Sequence, residues 1–274
     1  MPIVPLTGRI PSKPRPFEKV VADVRHAVYS VTRHRPVPQG GFQCWSLGSG
    51  FFLSSKVFLT CFHVLMSAAS PHQDGDQYQL VNNLGQGGVI QLVSNTTVGN
   101  NLHLFQDCDL ALLLADGNQN RAYLPLEYND IQAGYEIGVA GFPLPSLLAV
   151  NGNLRYDGLI FRVAKDVVTA TYRTNITTNT GITLTDIPAI EVNFLFVPGN
   201  SGGPLFAAAT GRVVGFVQGY RSQKIEEKVE TVTLIPALPQ GLPNTYIYTQ
   251  SALYSLGIGI SRVRSHLEQF GVSL

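Results

Sequence analysis

The sequence predicts an antiparallel all-β protein, folded as barrels or sandwiches and ending in a helix. Short runs rich in β-branched and aromatic residues recur along the 274 residues, and turn residues close each run. No helical interval of roughly 10–15 residues repeats between them, which argues against a parallel α/β sheet. Charged residues make up 14% and hydrophobic residues 45%, a composition typical of a well-packed globular chain.

Ten runs are predicted strands, and two segments are predicted helices. The strands are 27–33, 49–55, 57–62, 89–94, 110–115, 136–142, 167–173, 190–196, 212–220 and 244–250. Phe17, Val20 and Val24 recur at helical spacing, which predicts a short helix near the start. A second helix is expected near the end, with Ser261 as its N-cap and Gly271 as its stop.

Two segments outside the predicted strands are candidate partner surfaces. Residues 1–35 contain seven Lys or Arg against two acidic residues, and five prolines fall within the first sixteen positions. We expect an extended arm, either solvated or docking an acidic partner. Residues 223–244 are expected to form a long exposed loop. The overall net charge of +1 gives no electrostatic reason to expect nucleic-acid or membrane binding.

The sequence lacks the marks of a secreted or membrane-spanning chain. It has no secretory signal pattern and no run of about 18 uninterrupted apolar residues. Cys44, Cys61 and Cys108 form no CxxC pair and are expected to be reduced thiols. A zinc site formed by them with His63 is disfavoured, because the spacing matches no usual ligand pattern. We therefore expect a soluble cytoplasmic protein that needs no metal or organic cofactor.

The heptapeptide PGNSGGP contains a candidate nucleophile, Ser201. A serine hydroxyl needs a general base, and the base needs a carboxylate on its other nitrogen. Among the six histidines, His63 is favoured because it directly follows the apolar run VFLTCF. Asp109 abuts the apolar run LALLLA, where burial can keep a carboxylate oriented, and Asp107 is the alternative. This combination predicts acyl transfer, in which the histidine first accepts and then returns a proton.

Glycines surround the candidate nucleophile. A tetrahedral oxyanion needs backbone N–H donors, and a side chain at those positions would obstruct the required turn. Gly199 and Ser201 are the expected donors.

The segments TCFHV, DCDLALL and GNSGGP, in that order, resemble the signature segments of the chymotrypsin-fold (trypsin-like) serine proteases. Three further segments resemble the HtrA/Deg branch of this family; they lie at 48–64, 139–143 and 256–261. The resemblance covers roughly 20–272 and implies two six-stranded antiparallel β-barrels with the active site between them. It places His63 and Asp109 on the first barrel and Ser201 on the second.

The resemblance also implies a division of the chain. The parts are a basic arm with the first strand or helix at 1–35, the first barrel at 36–130, and the second barrel with the C-terminal helix at 131–274. The sequence stops after the last predicted helix, so we expect none of the PDZ domains usual in that branch. Asn200 stands where zymogen-type relatives have aspartate, so activation by propeptide cleavage is not expected. Phe62 stands where a smaller residue is more usual before the histidine in this family. Whether its ring crowds the cleft stays open at this point.

A specificity pocket follows from the same resemblance. Leu195 is expected at the base of this pocket, followed by Phe196. The opposite wall is expected to consist of Val217, Gln218 and Gly219. The alternative is that Leu195 and Phe196 are ordinary core residues. A lysine or arginine P1 side chain would find no carboxylate there, so small or medium apolar P1 residues in protein or peptide substrates are expected.

An active serine endopeptidase is the leading prediction, and it has two rivals. The first rival is a pseudoprotease, which would keep the triad but have a collapsed oxyanion loop. A variant of the leading prediction is a protease whose active site becomes ordered when a regulatory partner binds the arm or residues 223–244. An α/β-hydrolase would also match G-x-S-x-G, but its triad order is Ser, acid, His. Only His266 follows Ser201, and alternating βα units are missing.

Overall fold

The computed structural model describes residues 8–11, 13–67, 71–84, 89–94, 96–115, 121–129, 131–143, 146–150, 153–157, 159–178, 181–230 and 245–272. Its strands are β1 (Gly8–Arg9), β2 (Val28–Pro36), β3 (Phe42–Phe52), β4 (Val57–Cys61), β5 (Gln77–Asn82), β6 (Val89–Val93), β7 (Leu102–Phe105), β8 (Leu110–Leu114), β9 (Ala122–Tyr123), β10 (Glu136–Gly141), β11 (Ser146–Val150), β12 (Asn153–Asp157), β13 (Arg162–Thr177), β14 (Thr183–Val192), β15 (Pro204–Ala207), β16 (Val213–Glu230) and β17 (Thr245–Gly259). The helices are α1 (Phe17–Val24), α2 (Phe62–Leu65) and α3 (Arg264–Gln269), with 3-10 turns at Gln106–Cys108 and Ile260–Val263. The predicted all-β fold class with a C-terminal helix is confirmed.

The first half of the molecule is a seven-stranded sheet in the order β6-β5-β2-β3-β4-β8-β7. Its neighbouring strands pair antiparallel throughout. The strand count exceeds the expected six because β5 and β7, which the sequence analysis did not mark, both join the sheet. The buried strand β4 lies between β3 and β8, so its last residue and the start of β8 are held side by side as Cys61 and Leu110.

The second half is a closed six-stranded barrel in the order β10-β13-β14-β17-β16-β15. It closes where β15 pairs with β10, at Leu205 and Val139. Both of these side chains are buried in an apolar cluster inside the barrel. A larger buried cluster extends from the first sheet into the second half, so the two halves share apolar packing.

Strands β16 and β17 form a hairpin that continues beyond their contacts with β15 and β14. Their pairing runs from Gly215 and Gly259 to Glu230 and Thr245. The prediction of an exposed loop at 223–244 is therefore wrong for 223–230, which continue β16; residues 231–244 lie outside the described residues. Backbone pairing with β17 outweighs the low strand propensity of Lys and Glu in this stretch.

The described part of the N-terminal arm is packed against the protein. Strand β1 pairs parallel with β9, and Ile10 is buried. The predicted first helix is confirmed as α1, which buries Val20 and Val24 and stacks Phe17 on Phe206 of the barrel. The arm therefore contributes apolar contacts as well as charge.

The C-terminal helix begins later than predicted. Ser261 lies within the 3-10 turn, and Val263 precedes α3 with no side-chain capping hydrogen bond, so the prediction of Ser261 as N-cap is wrong. Val263 and Leu267 are buried, and Gly271 follows the helix with φ +70°, as expected for a left-handed stop.

None of the helices in the described ranges is long and apolar enough to cross a membrane.

Candidate active site

His63 and Asp109 form a close pair on the first sheet. His63 lies in the single turn α2, directly after β4, and Asp109 lies directly before β8. The Nδ1 atom of His63 is 2.8 Å from Oδ2 of Asp109, and the backbone N–H of His63 donates to Oδ1 at 3.0 Å. The carboxylate is 1% exposed, and each of its two oxygens makes a hydrogen bond with His63. This arrangement fixes the imidazole with its other nitrogen, Nε2, free for chemistry.

The backbone at Asp109 has an uncommon conformation. Its φ is +53°, in the left-handed region, and it ends the 3-10 turn Gln106–Cys108. Aspartate tolerates this region better than most residues. The carbonyl oxygen of Asp109 also accepts from the N–H of Phe62 at 2.9 Å. Asp109 thus holds α2 by backbone and side chain together. Asp107, the alternative carboxylate, has a side chain that is 67% exposed.

Ser201 follows a tight turn in the second half. The N–H of Asn200 donates to the carbonyl of Val197 at 3.0 Å, which closes a four-residue turn with Pro198 and Gly199 at its centre. Gly199 has φ +97°, as a type II turn requires at its third position; a type I turn, with the central peptide flipped, would need a negative φ there. The N–H groups of Gly199 and Ser201 donate to no acceptor among the described residues.

Ser49 on β3 ties this turn to the first half of the molecule. Its N–H donates to the carbonyl of Ser201 at 2.9 Å, and its hydroxyl donates to the carbonyl of Gly199 at 2.6 Å. The same hydroxyl accepts from the N–H of Phe142 at 2.8 Å. Sequence reasoning missed this residue, although the segment GSG at 48–50 was the available signal. Ser49 therefore holds the carbonyl side of the turn away from the cleft.

A cleft of about 770 Å³ separates the two halves, and both His63 and Ser201 line it. The remaining described lining residues are Arg33, Trp45, Ser46, Leu47, Val64, Ser67, Ile176, Thr177, Thr178, Phe196, Val197, Pro198, Gly199, Gln218, Gly219 and Leu256. No carboxylate is among them. The hydroxyl of Ser201 donates to the carbonyl of Gln218 at 3.4 Å, and no hydrogen bond joins it to His63 within the described residues.

The residues predicted for a specificity pocket occupy different places. Phe196, Gln218 and Gly219 line the cleft, whereas Val217 is buried inside the barrel. Leu195 is 47% exposed and is not part of the lining; it lies in the irregular segment that follows the end of β14 at Val192. Sequence reasoning missed Ile176 and Leu256, which come from β13 and β17 and add apolar surface to the same cleft.

Cys61 and Phe62 precede the histidine without narrowing the cleft. Phe62 is buried and does not belong to the lining. Cys61 is fully buried, and its thiol donates to the carbonyl of Val217 at 3.2 Å, which joins β4 to the barrel. Burial, and after it the neighbouring Asp109 carboxylate, raise the pKa of the Cys61 thiol well above its usual range. Cys61 therefore stays a neutral thiol beside the candidate catalytic pair.

Gly202, directly after Ser201, has no room for a side chain. Its φ is +83°, and a Cβ atom there would lie 2.3 Å from the carbonyl oxygen of Ser49 and 2.4 Å from the hydroxyl of Thr60. We expect Gly202→Ala to lower the free energy of unfolding by about 2–5 kcal/mol, combining left-handed strain with overpacking. Gly134→Ala is the matched control, since Gly134 has φ +86° and a Cβ atom built there meets no atom of the described residues within 4 Å. Denaturant unfolding of both variants gives the comparison, and equal losses would contradict the steric argument.

The comparisons with known proteins agree with this fold. The family model described as "Trypsin-like peptidase domain" matches residues 48–216, more than half of the chain. The domain match, together with the shared fold, identifies the chain as a serine protease, a hydrolase of peptide bonds. The chain belongs to the trypsin-like peptidase domain family.

Solved structures with a similar fold are HtrA-type proteases. One, "HtrA-type protease AlgW with decapeptide", superposes with a TM-score of 0.58 at 17% identity and covers 93% of this chain and 67% of its own. Another, "HtrA-type protease AlgWS227A with decapeptide", gives a TM-score of 0.56 at 18% identity and covers 94% of this chain and 68% of its own. At these identities the likeness shows a shared fold. No curated protein sequence matches the chain.

Proposed function

We propose that this serine protease is an endopeptidase that works through a triad of His63, Asp109 and Ser201. The observation that supports this most directly is the buried hydrogen-bonded pair of His63 and Asp109, placed on the same cleft as Ser201. His63 accepts the Ser201 proton as the hydroxyl attacks a substrate carbonyl, and Asp109 stabilises the resulting imidazolium. His63 then protonates the leaving amine, and water reverses these steps on the acyl-enzyme.

The N–H groups of Gly199 and Ser201 are the proposed oxyanion donors. Support comes from the positive φ of Gly199 and from the lack of competing acceptors for either amide among the described residues. A collapsed oxyanion loop, which the pseudoprotease alternative requires, would bring the flipped peptide and a negative φ at Gly199. The observed turn therefore favours an active protease over a pseudoprotease.

The hydroxyl of Ser201 must turn from the Gln218 carbonyl to His63 before attack. The bond to Gln218 is 3.4 Å long, near the upper limit for a hydrogen bond, so it opposes this rotation weakly. A side-chain rotation needs no rearrangement of the backbone. Substrate that pairs with the strand at Gln218 would compete for the same region and favour the rotated state.

The same cleft supports a preference for small or medium apolar P1 residues. Phe196, Ile176 and Leu256 contribute apolar surface, and none of the described lining residues is acidic. A lysine or arginine P1 side chain would therefore lose hydration without gaining a counter-charge. Profiling with peptides that differ only at P1 tests this preference.

Gly219 offers a sharper test of where P1 binds. It lines the cleft, and a Cβ atom built on it meets no atom of the described residues within 4 Å. We expect Gly219→Val to keep the stability of the protein while lowering kcat/KM for leucine at P1 by about 10–200-fold relative to alanine at P1. The leucine-to-alanine ratio of kcat/KM measures this, and an unchanged ratio would place the P1 side chain elsewhere.

Hydrolysis of an unfolded protein by the isolated chain tests the proposed function as a whole. We expect turnover without a partner, because the N–H groups of Gly199 and Ser201 have no acceptor among the described residues and are available to an oxyanion. The same experiment tests the alternative of a protease that a partner activates through the N-terminal arm. In that case the isolated chain would have low activity, and binding of the partner would raise it.

A further inference from the structure

A second group of polar side chains lies beside the catalytic pair but takes no part in the proposed chemistry. Asp107 and Cys108 belong to the 3-10 turn Gln106–Cys108, and His266 belongs to α3. One ligand-type atom from each of the three lies within 4.8 Å of the others. The group joins the segment that leads into Asp109 to the C-terminal helix, which follows the barrel.

The imidazole of His266 is held in place, but one of its ring nitrogens has no hydrogen-bond partner in the part of the chain that the structure describes. Its ring packs against the ring of Phe105, with the centroids 4.1 Å apart. Its Nδ1 atom is buried and makes no hydrogen bond within the described residues. A buried ring nitrogen without a partner is costly unless a ligand satisfies it.

The other two side chains are suited to the same ligand. Cys108 is fully buried, and its thiol makes a long contact of 3.7 Å with the carbonyl of Phe105. The side chain of Asp107 is 67% exposed and lies 3.7 Å from Arg262, beyond a direct hydrogen bond, so it can rotate. One thiolate, one imidazole and one carboxylate, completed by water, form a donor set suited to a borderline-soft divalent cation.

We propose that Asp107, Cys108 and His266 bind a Zn²⁺ ion. Bond lengths of about 2.0–2.3 Å put tetrahedral ligands roughly 3.3–3.7 Å apart, so a closing movement of about 1 Å is enough. Binding displaces the thiol proton of Cys108 to solvent as the Zn–S bond forms. The ion takes no part in peptide hydrolysis; it links the turn before Asp109 to α3 and stabilises the backbone that enters the catalytic pair.

Co²⁺ and Zn²⁺ titrations of the purified, reduced full chain test this site. We expect one equivalent of Co²⁺ to bind with a thiolate-to-cobalt charge-transfer band, and Zn²⁺ to displace it. Zn²⁺ at about a hundredfold excess over its Kd should raise Tm by roughly 5 °C. Cys108→Ser and His266→Gln should each weaken binding by more than the roughly 10–100-fold that loss of an outer partner costs.

Control variants test whether Co²⁺ binding depends on Asp107, Cys108 and His266 or on other thiols and imidazoles of the protein. Cys44→Ser removes the half-buried thiol on β3, and His103→Gln removes an imidazole that packs on Phe270; both should bind Co²⁺ like the unaltered chain. His63→Gln tests the other cluster, formed by Cys61, His63 and Asp109, and should also leave the titration unchanged.

Three results would overturn the proposal: no charge-transfer band, a band that survives Cys108→Ser, or a band lost in His63→Gln. Where Cys108→Ser fails to fold, Asp107→Asn decides instead, because its exposed side chain is not needed for the fold. Binding that Asp107→Asn and His266→Gln both leave unaffected also contradicts the site.

Discussion

Replacing Ser201 with alanine is expected to lower kcat by on the order of 10⁶ while the protein stays folded. The side chain is partly exposed to the cleft and makes one long hydrogen bond within the described residues, so its removal should disturb the surrounding packing little. The residual rate should still exceed that in water, because the Gly199 and Ser201 amides remain in place. Steady-state turnover of an unfolded protein substrate, with circular dichroism to verify the fold, measures both parts.

Ser261→Ala is the control for this variant. Ser261 is exposed, lies in the 3-10 turn before α3 and caps no helix. Its replacement should change neither kcat nor stability beyond about 0.5 kcal/mol. A Ser201→Ala variant that retained activity close to that of Ser261→Ala would remove Ser201 from the mechanism.

Asp109→Asn is expected to lower kcat by on the order of 10⁴ with little change in KM. The amide can still occupy the left-handed conformation at φ +53°, so the backbone around α2 should be preserved. What is lost is the charge that stabilises the imidazolium and the acceptor that fixes the tautomer of His63. The separate measurement of kcat and KM distinguishes this effect from a loss of substrate binding.

Asp186→Asn provides a control with the same backbone conformation. Asp186 also has φ +53°, but it lies on the barrel and its exposed side chain pairs with Arg173. An exposed ion pair contributes little stability, so this variant should have ordinary kcat and KM. Equal losses in the two variants would mean that the conformation of the residue, and not the His63 contact, explains the effect.

The sequence predicted well those elements whose side chains follow a simple period. Strand β8 is a continuous apolar run, and α1 has its buried valines at helical spacing. The candidate pair His63 and Asp109 could be selected because each residue directly flanks a buried strand, and the structure puts these two strands side by side. The catalytic roles of the pair stay predictions.

Features that depend on contacts between residues far apart in the sequence could not be predicted from the sequence alone. Residues 223–230 extend β16 because β17 supplies a partner strand, although Lys and Glu there indicated a loop. The part played by Ser49 depends on contacts with Gly199 and Ser201, about 150 positions away in the sequence. The exposure of Leu195 depends on where β14 ends. Such features follow from tertiary contacts, which outweigh local propensity.

Fluorophosphonate labelling of the purified chain, followed by intact mass, tests the proposed triad itself. We expect one covalent adduct per molecule, because a fluorophosphonate reacts with a serine that a neighbouring base has activated. The adduct should be absent from Ser201→Ala and from His63→Ala, and present in Ser261→Ala. A folded chain that forms no adduct, or one whose adduct persists in Ser201→Ala, would contradict the proposed triad.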